Sequence, residues 1–450
     1  MADLLSHLPG ITLDQLRAGM IANGVRQLLV KELAPNDNSK NQPYLGGNFE
    51  ALSILPAGEL RAERTERGVE ILKAPLAFGW LQEDGRVEPA PGAQLILYPQ
   101  YPEVRMSGFL KGSRNAPSAV MTTRDPGRLL FLGITDDRRI VAWASGPETA
   151  LAREYHELEG LEPTGVFLKV PLRPQEENRT SREILLATLA AIHAKDWISS
   201  YALRADGTHA PCQAAQCVGY TLEAELGVSR NGYAEPDFMG WEVKAGQVDD
   251  YRRVPASKVM TLMTPEPTGG HYRSEGVESF IRTFGYADKL GREDRLNFGG
   301  IFREGQHHAG TDLTLRLFGY DASSGKITDA EGSLALVRGE DTVAASWSFT
   351  ALAGLWNRKH AQAVYVPAER RKEPELAYRY GGTVRLGEGT DFLRLLKAFA
   401  DGAVFYDPGI KLEGASGPRP DIKRRSQFRI RSSDLPSLYR RMEPVEVSGA

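Results

Sequence analysis

Residues Gly219–Lys244, GYTLEAELGVSRNGYAEPDFMGWEVK, decide how this chain is read. The stretch predicts a short helix carrying Glu223, a Gly-containing loop, and then a strand bearing Asp237, Glu242, Val243 and Lys244. Residues two apart share one face of a strand, so Glu242 and Lys244 point the same way. Met239, Trp241 and Val243 alternate with Gly240, Glu242 and Lys244, which predicts one apolar face and one charged face. A carboxylate and an ammonium side by side suit metal-assisted hydrolysis. Asp237 and Glu242 can each give a hard oxygen to Mg²⁺, and the Val243 carbonyl can give a third. Lys244 can hold the attacking water while the metal stabilises charge on a phosphate. Glu223 can support the metal or a general-base water from the neighbouring helix. Taken alone, D-x4-E-x-K also describes a salt-bridged surface strand; the amphipathic alternation and the preceding acidic helix favour the catalytic reading.

Around this stretch the chain is ordinary in bulk. It has 450 residues, 41% hydrophobic and 25% charged, which suits a globular protein of two to four domains and excludes disordered, coiled-coil and collagen classes. No apolar run is long enough for a membrane span, and the N-terminus shows no secretory pattern. Two cysteines, Cys212 and Cys217, cannot build a four-ligand zinc site or a disulfide framework. They are read as small buried hydrophobes in a reduced, cytoplasmic protein. The formal net charge is −3, so the whole molecule is no polyanion trap. The segment Lys411–Arg441 differs, with nine basic residues against three acidic ones. Lys423, Arg424 and Arg425 at its centre are candidate phosphate contacts, or else a solvated surface strip.

Residues 1–170 read as a β-rich domain. Thr12 is placed to cap a short helix before Leu13, Leu16 and Met20. Short apolar runs follow, among them Ala93–Tyr98 and a hairpin of Arg128–Thr135 with Arg138–Ala144, a pattern that predicts a barrel or sandwich. Residues 171–180 are polar and Pro-bearing, the expected linker. Thr180 with Glu183 then has the form of a capping box, opening a mixed α/β domain over residues 181–450.

These residues carry a family resemblance. GYTLE and EPDFMGWEVK resemble the catalytic core of the MvaI/BcnI restriction endonucleases and of the related MutH-like nucleases, which are PD-(D/E)xK enzymes. Ser257–Met260, Thr264–Tyr272 (TPEPTGGHY), Asp294–Gly300 (DRLNFGG), Tyr380–Gly382, Tyr406–Gly409 and Phe428–Arg431 continue it, so that it spans about residues 180–445. The resemblance implies Asp237, Glu242 and Lys244 as the catalytic triplet, with Glu223 and Lys258 supporting. It implies a restriction-endonuclease-like α/β domain with a DNA-recognition lobe, Mg²⁺ as cofactor (with Mn²⁺ able to substitute), and double-stranded DNA as partner. The activity expected is that of a type II restriction endonuclease. The alternatives are a MutH-like nickase and a non-cleaving DNA-binding regulator. One active site per chain must act twice on a duplex, which leaves monomer and homodimer both open.

A second resemblance lies near the N-terminus. Lys31–Asn38 (KELAPNDN) with Asn41-Gln42, and Tyr101–Arg105, are similar to the effector DNA-binding pseudobarrel of EcoRII-type enzymes. It implies a second DNA site, as in type IIE enzymes. Asn36, Asp37, Asn38, Gln42, Arg105 and Arg114 are its candidate contacts, since amides pair with adenine and arginine with guanine or phosphate. Asn and Asp are equally at home in plain turns. His271, after Gly269-Gly270, is a candidate near the scissile phosphate. His307 and His308 are candidates for reading a base edge, or simply loop residues.

Overall fold

The structure is a computed structural model that describes residues 10–35, 42–47, 49–99, 101, 103–173, 180–229 and 237–447, leaving aside the side chains of 358 and 359. Asn36, Asp37 and Asn38 lie outside the described residues. The chain divides into two compact units, Met1–Thr180 and Ser181–Ala450.

The first unit is strand-rich. Its opening helix, Leu13–Ala22, starts where the sequence predicts, with a reciprocal capping box between Thr12 and Gln15. Leu13, Leu16 and Met20 fall on one face at helical spacing and join a core with Leu28, Val30, Phe131 and Val141. That helix packs close to its sheet at Gly133, where a Cβ would stand 2.7 Å from the Met20 sulfur. The expected hairpin forms between Arg128–Thr135 and Ile140–Ser145. Its second strand starts later than the sequence suggests, because Arg138 takes a positive φ of 65° in the turn. The unit holds a seven-stranded and a four-stranded sheet. Both are open in their strand order, so no closed barrel forms among the described residues and the expectation of a barrel reduces to a strand-rich fold.

The second unit is mixed α/β. Its central strand, Gln362–Arg371, pairs in parallel with Trp241–Gln247 and antiparallel with Ala377–Tyr380 and Thr383–Glu388. Arg441–Glu446 extends the sheet beyond Thr383–Glu388. The helices Ser181–Ala194 and Cys217–Glu225 supply Leu185, Leu189, Ile192, Val218 and Leu222 to a core shared with Trp241, Val243, Val364, Val366 and Leu386. Trp241 is fully buried, and its indole N–H donates to Ser181 Oγ at 3.3 Å. A parallel pair needs a crossover connection. Here the connection from Gln247 to Gln362 contains further sheets, among them the four-stranded His307–His308, Leu313–Phe318, Ser333–Arg338 and Thr342–Ser348.

The cysteines correct the sequence reading. Cys212 and Cys217 form a disulfide, with Cα atoms 5.8 Å apart. The chain leaves the His209–Pro211 strand, turns back, and enters the Cys217–Glu225 helix, and that reversal brings the two Cα atoms within bonding range. The pairing removes the argument for a reducing compartment that two free thiols offered. Among the described residues no helix is long and apolar enough to cross a membrane.

Candidate active site

Phe238, Met239, Gly240 and Trp241 make a tight turn. Trp241 N–H donates to Phe238 O at 2.8 Å and Phe238 N–H to Trp241 O at 3.0 Å. Met239 and Gly240 both take positive φ, 47° and 87°, the twist that suits a two-residue hairpin loop. The strand therefore begins at Trp241, and the alternation predicted from Met239 onward holds only from there. Met239 is half exposed. Asp237 is thus not on the strand, yet the turn folds it back against it. Its Oδ2 accepts the Val243 backbone N–H at 2.9 Å. The Trp241–Gln247 strand is paired along one edge, to Gln362–Arg371, and Asp237 serves the other.

On the strand itself, Trp241 and Val243 enter the core while Glu242 and Lys244 occupy the opposite face. Glu242 is 1% exposed, and Lys244 Nζ donates to its Oε1 at 2.5 Å. Burial works against the Lys244 ammonium, but the neighbouring Glu242, its hydrogen bond and Asp237 carry its pKa above the usual lysine value. Asp237 is pushed up to about 7, by burial first and then by the charges of Glu242 and Glu223, against the Val243 N–H and Lys244. Glu223, on the Cys217–Glu225 helix, thus belongs to the same electrostatic cluster. Carboxylates crowded this way raise one another's proton affinity, and a divalent cation would relieve that crowding. Among the described residues no group of three or more His, Cys, Asp or Glu side chains is arranged to hold a metal ion. Two carboxylates and a backbone carbonyl are oxygen donors of the kind that a hard divalent cation takes, with water completing its shell.

The other predicted residues sit on other elements of the chain. Lys258 precedes the Val259–Met263 strand of a different sheet, and among the described residues no hydrogen bond or ion pair joins its ammonium to the Asp237 cluster. His271 Nε2 is hydrogen-bonded to Ser279 Oγ at 2.8 Å, its ring edge-on to Phe284. His307 pairs with Asp312 at 3.0 Å and is exposed. His308 packs on Phe302 and bonds Thr311 Oγ1 at 2.9 Å; burial, then Lys289 and His307, lower its pKa. The two adjacent histidines therefore differ, one exposed and hydrogen-bonded to Asp312, the other held as packing. Lys423, Arg424 and Arg425 are all exposed, with Asp421 3.6 Å from Lys423.

In the first unit, Gln42 and Arg105 line one cleft of about 250 Å³ with Lys31, Tyr44 and Arg128. Burial lowers the Lys31 pKa, with Glu32 opposing it. Arg105 is tied to Glu103 at 3.0 Å. Arg128 spends its guanidinium on backbone carbonyls of Ala34, Val120, Met121 and Asp125. Arg114 lies outside this cleft, exposed, its backbone N–H bonded to Glu88. Lys31 and Tyr44 are cleft residues that the sequence reading did not single out as contacts. The signal was present for Lys31, which opens the KELAPNDN stretch.

Comparison with known proteins defines the class: residues 186–439, more than half of the chain, match a family of restriction endonucleases. The chain belongs to the MvaI/BcnI restriction endonuclease family, and with it to the site-specific deoxyribonucleases. Among solved structures, the chain is similar to the restriction endonuclease MvaI in its cognate DNA substrate complex, at 17% identity and TM-score 0.43, over 58% of this chain and 96% of that one. It is similar to MvaI in the absence of DNA at 16% identity and TM-score 0.33, over 60% and 99%. The comparison with curated proteins gave no match.

Proposed function

We propose that this enzyme is a Mg²⁺-dependent endonuclease that cuts double-stranded DNA at a specific sequence, with Asp237, Glu242 and Lys244 as its catalytic triplet. The observation that carries this reading is the convergence of Asp237 onto the strand of the Glu242–Lys244 pair, fixed by the Val243 N–H. Asp237 and Glu242 would hold the metal, with the Val243 carbonyl as a third protein oxygen. When bound, Mg²⁺ supplies positive charge to the phosphate undergoing attack. Lys244 orients the attacking water and stabilises the charge that builds up in the transition state. Its raised pKa keeps it an ammonium in that role. Glu223 supports the site from the helix, by a water contact or by charge. Lys258 stands as a further supporting lysine.

We assign the DNA partner to further surfaces as well. Exposed Lys423, Arg424 and Arg425 give sequence-independent affinity through the phosphates, and His271, His307 and His308 belong to the recognition side. The first unit is read as an effector-type DNA-binding module, as in type IIE enzymes, with Gln42 and Arg105 in one cleft as its described contacts, and Asn36, Asp37, Asn38 and Arg114 as its remaining ones. Incubating supercoiled plasmid with the protein and either Mg²⁺ or EDTA tests the whole reading. Discrete linear products in Mg²⁺ alone support it; open circles alone would make the enzyme a nickase, and unchanged plasmid would refute it.

A further inference from the structure

The face that carries Glu242 and Lys244 continues onto strands distant in sequence. Lys244 is in register with Tyr365 on the central strand, and Tyr365 with Arg385 on the next. Register partners on neighbouring strands stand on one face, about 4.8 Å apart. A row Lys244–Tyr365–Arg385 therefore crosses the sheet, while Val243, Val364 and Leu386 fill the core on the other side.

Tyr365 is buried, and its hydroxyl is hydrogen-bonded to the Tyr439 hydroxyl at 2.8 Å. Tyr439 is buried too, and its ring lies over Gly387 of the Thr383–Glu388 strand. A Cβ at Gly387 would come within 2.7 Å of that ring, so the glycine is what lets Tyr439 reach Tyr365. Arg385 donates to the Ser432 carbonyl at 2.8 Å and to its Oγ at 3.0 Å. The phenol of Tyr365 is thus the polar group that borders Lys244 across the sheet.

A hydroxyl pair in such a place needs a reason. Buried hydroxyls are costly unless bonded, and two phenylalanines would fill nearly the same volume without that cost. We propose that Tyr365, held by Tyr439, is a positioning residue for the Glu242–Lys244 pair, an inference that rests on the catalytic reading of that pair. Lys244 carries its charge on a flexible four-carbon stem. Tyr365 walls one side of that stem, Glu242 accepts from its end, and the Tyr439 hydroxyl keeps the phenol from rotating away. Buried networks of this sort act as units, their effects exceeding those of single bonds.

The test uses full-length Tyr365→Phe, Tyr439→Phe and the double variant, alongside Asp237→Asn. Single-turnover cleavage in Mg²⁺, DNA affinity without metal, and thermal melting are measured for each. Tyr365→Phe should cleave about tenfold more slowly with unchanged DNA affinity, while its melting temperature falls because the buried Tyr439 hydroxyl loses its partner. Tyr439→Phe should slow cleavage in the same direction, and the double variant should be as slow as Tyr365→Phe and no slower, because the two act as one unit. A wild-type rate for Tyr365→Phe overturns the proposal. So does a rate loss matched by a drop in DNA affinity, a rate that recovers together with the melting temperature in the double variant, or single effects that multiply there. An Asp237→Asn protein that still cleaves would refute the catalytic reading itself; an inactive Asp237→Asn beside a wild-type Tyr365→Phe would refute only the role of the tyrosine.

Discussion

Asp237 precedes the strand of Val243 by a complete turn, yet its Oδ2 accepts the Val243 backbone N–H at 2.9 Å. One hydrogen bond thus joins a carboxylate from outside the sheet to the edge of the strand that bears Glu242 and Lys244. Burial and the charges of Glu242 and Glu223 push that carboxyl up to about 7.

The first prediction concerns stability in the absence of metal. Between the ordinary Asp range, near pH 4, and pH 7, the folded protein keeps a proton on Asp237 that the unfolded chain has released. Stability therefore falls as pH rises through that window, by at most about 1.4 kcal/mol per pH unit. Asp237→Asn has no such proton to release, so its melting temperature should gain on the wild type from pH 4 to pH 8. Parallel melting curves across that range would place the raised pKa on another group.

Metal binding should be linked to the same proton. A carboxyl that is half protonated near neutrality must lose its proton to ligate. Mg²⁺ affinity of the DNA-free protein should climb with pH up to and just beyond 7, then level off. Calorimetry in buffers of different ionisation enthalpy should show a proton released near pH 6.5, and none in Asp237→Asn.

Neutralising Lys423, Arg424 and Arg425 together should weaken binding to all DNA sequences alike. It should also flatten the dependence of log affinity on log salt, by up to about 0.9 for each phosphate that the protein no longer neutralises. An unchanged slope would return these exposed residues to a solvated strip.

The first unit gives a separable prediction. A fragment of residues 1–180 should bind duplex DNA without cutting it, and Gln42→Ala with Arg105→Ala should weaken that binding. Full-length protein should then cleave one-site and two-site plasmids at different rates, through a second site held at high effective concentration. Equal rates together with no binding by the fragment would remove DNA from this unit.

Local rules were readable in the sequence where local chemistry decides. Thr12, with Leu13, Leu16 and Met20 behind it, announced the first helix, and the strand faces of Trp241–Lys244 followed from alternation alone. The turn at Met239-Gly240 was not legible: a methionine at positive φ breaks the expectation that alternation continues, and the tight turn wins because it lets Asp237 fold back. The disulfide was missed because bonding depends on how the chain reverses after Pro211, which spacing does not encode. Tyr365 was invisible for a similar reason. Its relation to Lys244 is a parallel strand register set across the whole Gln247–Gln362 crossover, and no motif spans that distance. The effector-type loop at Asn36–Asn38 lies outside the described residues.

Plasmid cleavage by Asp237→Ala and Lys244→Ala, beside the wild type in Mg²⁺ and in EDTA, tests the central claim most directly. The account predicts linear fragments with one defined end sequence for the wild type in Mg²⁺. Both variants should cleave several orders of magnitude more slowly, consistent with losing transition-state charge stabilisation, while still binding DNA. Either variant cutting at the wild-type rate would contradict it.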